Sequence, residues 1–183
     1  MESLLNTGQR RLVVSELSVE RRERYLVMLY DQAIWCDLRD GITANALYNQ
    51  LERIEHEQLG KIVCSNLLSN CIQILVEVEA YLGVESLLKR FRALSAPWVE
   101  WRRDANLYRL AKEDSVKDFA YYVFMGPYRR GLLDVEERNV FWRAWTDEDL
   151  LDFGDAADME SFQGSLKDLM TVESLVAEVI VAV

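Results

Sequence analysis

The chain has 183 residues, half of them hydrophobic and 28% charged, a globular composition that excludes a disordered or low-complexity polymer. The formal net charge is −10, and no apolar run approaches the roughly 20 residues that span a bilayer, so the expectation is a soluble protein with no membrane partner. Three cysteines, Cys36, Cys64 and Cys71, are an odd number unsuited to a closed disulfide framework, and they point to a reducing intracellular compartment such as the cytoplasm.

Eight glycines and two prolines punctuate the chain. The stretches between them are free of strong helix breakers and predict helices. Residues 18–40 read as a long helix, capped by Ser18 and stopped by Gly41, with Leu26, Leu29, Tyr30, Ala33 and Ile34 at helical spacing. Thr43 is expected to cap a second helix, whose seam is Ala44, Leu47, Leu51 and Ile54. Residues 61–82 are apolar nearly all round and predict a buried helix. The alternation over 74–79 also fits a strand, but no partner strand is evident nearby. A fourth helix carries Val84, Leu87, Leu88, Phe91 and Leu94, and Pro97 opens a fifth through Ala111. Asp114 or Ser115 starts another, with Val116, Phe119, Ala120 and Val123 inward, which Gly126-Pro127 ends. Asp134 and Glu137 read as a capping pair for a helix to Trp145. Thr146 with three following acids starts another, and Ser165 the last. The fold expected is an all-α bundle of six to eight helices: a helical core domain over 1–145, with an acidic helical segment, 146–183, packed on it or appended to it.

Charge is unevenly spread. Residues 1–88 balance at −5, 89–143 at +4 and 144–183 at −9. One part is then suited to dock on the other, or each faces a different partner.

The residues argue against most chemistry. His56 is the only histidine, whereas most acid–base, nucleophilic and transition-metal sites lean on several. It lacks the second histidine of a zinc-binding helix and of a di-iron bundle. Asp147, Asp149, Asp152, Asp155 and Asp158 have the density of a calcium loop but not its register. No phosphate loop occurs. No catalytic residue, metal ligand or cofactor is therefore assigned, and an enzyme using Mg²⁺ on Asp/Glu clusters is the least favoured reading.

Aromatic residues interleaved with arginine are the candidate binding groups: Trp98, Trp101, Arg102 and Arg103; Tyr128, Arg129 and Arg130; Trp142, Arg143 and Trp145. Trp, Tyr and Arg dominate binding hot spots. They also stack on nucleobases. The reading favoured is a non-catalytic acidic protein that binds another protein of basic or mixed charge, as an inhibitor, immunity protein, adaptor or chaperone would; self-association is compatible with it. The alternative is nucleic-acid or ribonucleoprotein binding through the basic stretch 89–130, with the acidic C-terminal stretch covering it as a built-in phosphate mimic.

Overall fold

The computed structural model describes residues 22–33, 37–80, 83–134 and 136–145. The elements are β1 (Arg22–Asp31), α1 (Gly41–His56), β2 (Lys61–Leu67), β3 (Cys71–Glu79), α2 (Gly83–Ser95), β4 (Trp101–Arg109), α3 (Val116–Phe124), a single helical turn α4 (Gly126–Arg129) and β5 (Trp142–Ala144). The strands form one antiparallel sheet in the order β4-β1-β3-β2-β5. The first six elements are thus a split β-α-β arrangement of the ferredoxin-like kind, to which β5 adds an edge.

The all-α expectation is overturned by this sheet. The long helix over 18–40 is β1 in its described part, the buried helix over 61–82 is the pair β2 and β3, the helix begun at Pro97 is β4, and the stretch 134–145 is a turn followed by β5. The physical reason lies in the layering. Helices α1 and α2 pack on one face of the sheet, around Val27, Leu29, Ile62, Ile72, Ile74 and Val76. Helix α3 packs on the other, around Leu26, Met28, Cys64, Cys71 and Leu75. A strand covered on both faces has no polar side and reads as a continuous apolar run. The 74–79 stretch has two partners. β2, just before it in the chain and itself part of the apolar run over 61–82, pairs with β3 from Lys61↔Glu77 to Leu67↔Ile72. β1 pairs with β3 from a distance, from Arg22↔Glu79 to Tyr30↔Cys71.

Helices α1, α2 and α3 lie where their amphipathic seams placed them. Asp40, not Thr43, caps α1: its carboxylate accepts from the amides of Ile42 and Thr43. Ser115 caps α3 by accepting from the Asp118 amide at 3.2 Å. Gly126-Pro127 does not end helical structure outright, since α3 stops at Phe124 and α4 turns through the pair. Asp134 and Glu137 do bond reciprocally, at 2.8 and 2.9 Å, but they close a turn and not a helix. Among the described residues no helix is long and apolar enough to cross a membrane. Cys64 and Cys71 are free and buried. Cys36, the acids from Asp147 onward and the whole expected C-terminal segment lie outside the described residues.

Two features of the second face position the candidate site. A buried polar pair, Asn66 on β2 and Gln73 on β3, sits directly opposite in register. The Asn66 amide donates to the carbonyls of Val123 and Phe124 at 2.8 and 3.2 Å, which ties the sheet to the end of α3. Gly126 leaves room for the Gln73 amide, because a Cβ there would strike its oxygen. The second feature is a bulge. Leu29 pairs with Ala105 and Asp31 with Trp101, so residues 102–104 together oppose Tyr30. Such bulges bend an edge strand and re-aim its side chains.

Candidate binding site

The aromatic and arginine residues singled out in the sequence do not form one surface. Trp101 belongs to the core of the first face, where its indole N–H donates to Ser95 Oγ at 2.7 Å and its ring lies 5.9 Å from Phe91. Trp145 packs 6.0 Å from Tyr48. Arg143 lies 3.9 Å over the same Tyr48 ring and 3.8 Å from Glu52. On the second face, Trp142 meets Phe124 edge-on at 5.4 Å. Tyr128 packs 5.9 Å from Phe124 and donates to the Glu137 carbonyl. Trp98 is 40% exposed in the loop before β4. Arg103 is exposed in the bulge, and nothing in its surroundings distinguishes it.

Two of the residues, Arg102 and Arg130, do act on one group, Tyr30, and Arg129 sits on the neighbouring Tyr122. The bulge carries Arg102 over the Tyr30 ring, 5.8 Å from its centre. Asn106, one turn of the pleat beyond the bulge, donates to the Tyr30 hydroxyl at 3.4 Å. Arg129 lies 3.6 Å over the Tyr122 ring and donates to the Tyr122 carbonyl at 3.0 Å. Burial pushes the Tyr30 phenol up, and the buried Cys71 beside it adds to the rise, while the Arg130 guanidinium pulls the other way. The group is therefore a half-buried neutral tyrosine ringed by guanidinium groups, built from β1, β4 and the α3–α4 junction.

Neighbouring arginines are differently placed. Arg22 and Arg24 hold Glu77. Arg53 and Arg90 hold Glu57, and Arg109 holds Glu23. Within the basic stretch 89–130, Arg90 and Arg109 are thus neutralised locally, and Arg92 is half-buried on α2. Arg102 and Arg130 are exposed and have no carboxylate within 4.0 Å among the described residues. Asp104 lies exposed in the same bulge as Arg102.

Chemically, the arrangement offers fixed cationic donors. Guanidinium groups held by aromatic rings present a fixed fork of donors that matches phosphate. A phenol pushed up by burial is not a nucleophile at neutral pH. The thiols are no better placed: burial raises Cys64, and raises Cys71 to about 12. Among the described residues no group of three or more His, Cys, Asp or Glu is placed to hold a metal. His56 is exposed as the last residue of α1. A separate cleft of about 360 Å³ lies at the far end of β1 and β3. Its carboxylates Glu55, Glu77 and Glu79 outnumber Arg22 and Lys61, so it does not suit an anion.

Tyr30, Asn106 and Tyr122 are the members that sequence reasoning missed. Tyr30 was absorbed into an apolar run, and the register that sets it against Arg102 depends on the bulge, which no local pattern announces.

No protein-family model matches the chain, and no curated protein sequence matches it. Its fold is similar to that in a solved structure of the REP-associated tyrosine transposase bound to a REP hairpin, with a TM-score of 0.51 at 10% identity, covering 61% of this chain and 70% of that one. A likeness at that identity concerns the fold alone.

Proposed function

We propose that this protein is a non-catalytic binding module that recognises a nucleic acid through the Arg102–Tyr30–Arg130 group on the second face of the sheet. The observation that carries the reading is a pair of exposed arginines with no carboxylate within 4.0 Å among the described residues: Arg102, whose guanidinium lies over the Tyr30 ring, and Arg130, whose charge acts on the Tyr30 phenol. Stacked guanidinium groups suit both phosphates and splayed bases. The similar fold in the hairpin-bound transposase structure supports the reading. This is the alternative of the sequence analysis, moved from a stripe along 89–130 to one compact group.

The test is fluorescence anisotropy of a labelled DNA hairpin and a labelled single strand against the full chain, at several salt concentrations. Replacing Arg102 and Arg130 by Ala should weaken binding of either probe. Loss of two phosphate contacts should also flatten the slope of log affinity against log salt by about 1.4 for a single strand and about 1.8 for a duplex. Binding that is absent, or a slope the double variant leaves unchanged, refutes the reading.

A second reading, recognition of another protein, keeps one observation in its favour: the 40% exposed Trp98. An exposed indole is a residue type enriched at binding hot spots. Trp98→Ala should then abolish a specific partner in affinity enrichment while leaving oligonucleotide binding intact; a partner retained by the variant counts against it.

A further inference from the structure

The chain leaves the described structure at Trp145, whose amide donates to the Val63 carbonyl at 3.1 Å beside β5. The 38 residues that follow, 146–183, carry ten Asp or Glu and one Lys. Seven of those carboxylates fall between Asp147 and Glu160. Within the same molecule, Arg102 and Arg130 are exposed cations with no carboxylate within 4.0 Å among the described residues, whereas Arg53, Arg90 and Arg109 are already matched.

We propose that residues 146–160 dock in cis on the Arg102–Arg130 face and compete there with nucleic acid. The inference rests on the binding reading above and names how that surface is regulated. Reach allows it. From β5 to β4 are four strand spacings, about 19 Å. An extended chain covers up to about 3.5 Å per residue, so the segment from Asp152 onward is long enough to cross the sheet. Charge favours it, since a stretch at −9 follows a stretch at +4. Tethering favours it further, because a linked segment acts at an effective concentration near the millimolar range, which displaces a weakly held polyanion without any new contact. Carboxylates also accept from guanidinium forks in the two-point geometry that phosphate uses.

The experiment uses the full chain. In one variant Asp147, Asp149, Asp152, Asp155 and Asp158 become Asn and Glu148 becomes Gln. The first readout is the NMR signal of the Arg102 and Arg130 Nε–H groups with no nucleic acid present. Docking predicts that both signals move between the wild-type and neutralised chains. The second readout is affinity for a labelled DNA hairpin, which should rise about tenfold or more in the neutralised chain at low salt, the gap closing near 0.5 M as screening releases the segment. Signals that stay in place overturn the docking, whether or not the hairpin binds. Signals that move while neither chain binds the hairpin support the docking and refute the nucleic-acid reading. The reciprocal variant, Arg102→Ala with Arg130→Ala, should shift the backbone amides of residues 147–158. Unshifted amides also overturn the proposal, and this arm decides the matter should the neutralised chain not fold.

Discussion

Ile74 and Leu75 are neighbours on β3, yet they belong to different cores. Ile74 packs with α1 and α2, Leu75 with α3, and neither exposes any surface. Truncating either to Ala removes three carbon units, about 2.4 kcal/mol of transfer free energy. The cavity left behind raises the expected cost to about 3–4 kcal/mol for each. Because the two side chains point to opposite faces and share no packing partner, the double variant should lose nearly the sum, about 6–8 kcal/mol, against a typical total of roughly 5–15. Urea unfolding followed by tryptophan fluorescence and circular dichroism measures all three, with the midpoint carrying the change and the slope held constant. A cost below about 1 kcal/mol for Leu75→Ala would show that α3 does not cover the second face. The same result for Ile74→Ala would remove the α1–α2 layer. Either outcome sinks the two-sided sheet, and with it the placement of Tyr30 and Arg102.

Three other expectations are more local. Asp40→Ala should cost about 1 kcal/mol in the same assay, since the carboxylate satisfies two otherwise unpaired amides at the start of α1; a neutral result would return the cap to Thr43. Hydrogen bonds from Arg90 and then Arg53 hold the Glu57 carboxyl at about 2, against an ordinary 4.5. The folded-state value is depressed, so this ion pair supports the fold above pH 4.5 and loses that support as pH falls toward 2. Carbon-detected titration should place the Glu57 midpoint near 2, and Arg90→Ala should move it up; a midpoint indifferent to the substitution would discount the ion pair. The buried Cys64 and Cys71 thiols should react with an aromatic disulfide only as fast as the chain opens. Prompt reaction of both in the folded protein would contradict their burial.

The helices were legible because each keeps a polar side. Leu47, Leu51 and Ile54 on α1 are buried while Asn49, Glu52 and Arg53 face water, and Phe119, Ala120 and Val123 on α3 are buried while Lys117 and Asp118 face water. The strands were not, because β1 and β3 are covered twice. Leu26 to Leu29 are all buried, and four apolar residues in a row carry no period. Arg24 and Glu77 lie toward the outer ends of these strands, where they interrupt the apolar run without giving it a strand period. The candidate binding residues follow the same division. Arg102, Arg129 and Arg130 were found by type, since exposed arginine beside an aromatic residue is conspicuous. That they share one face, and that Trp101, Trp145 and Arg143 do not, depends on strand register, which is set by pairings between distant segments.

The strand order has a consequence for how the chain assembles. The first strand occupies an interior position, so Leu26 must find Leu75 on one side and Tyr108 on the other before either neighbour is complete. Only β2 and β3 are joined by a short turn. Productive pairing thus waits on closure of long loops, which is slow compared with helix formation. During synthesis β1 leaves the ribosome well before its partners exist, carrying the uninterrupted apolar stretch from Leu26 to Leu29 with nothing to cover it.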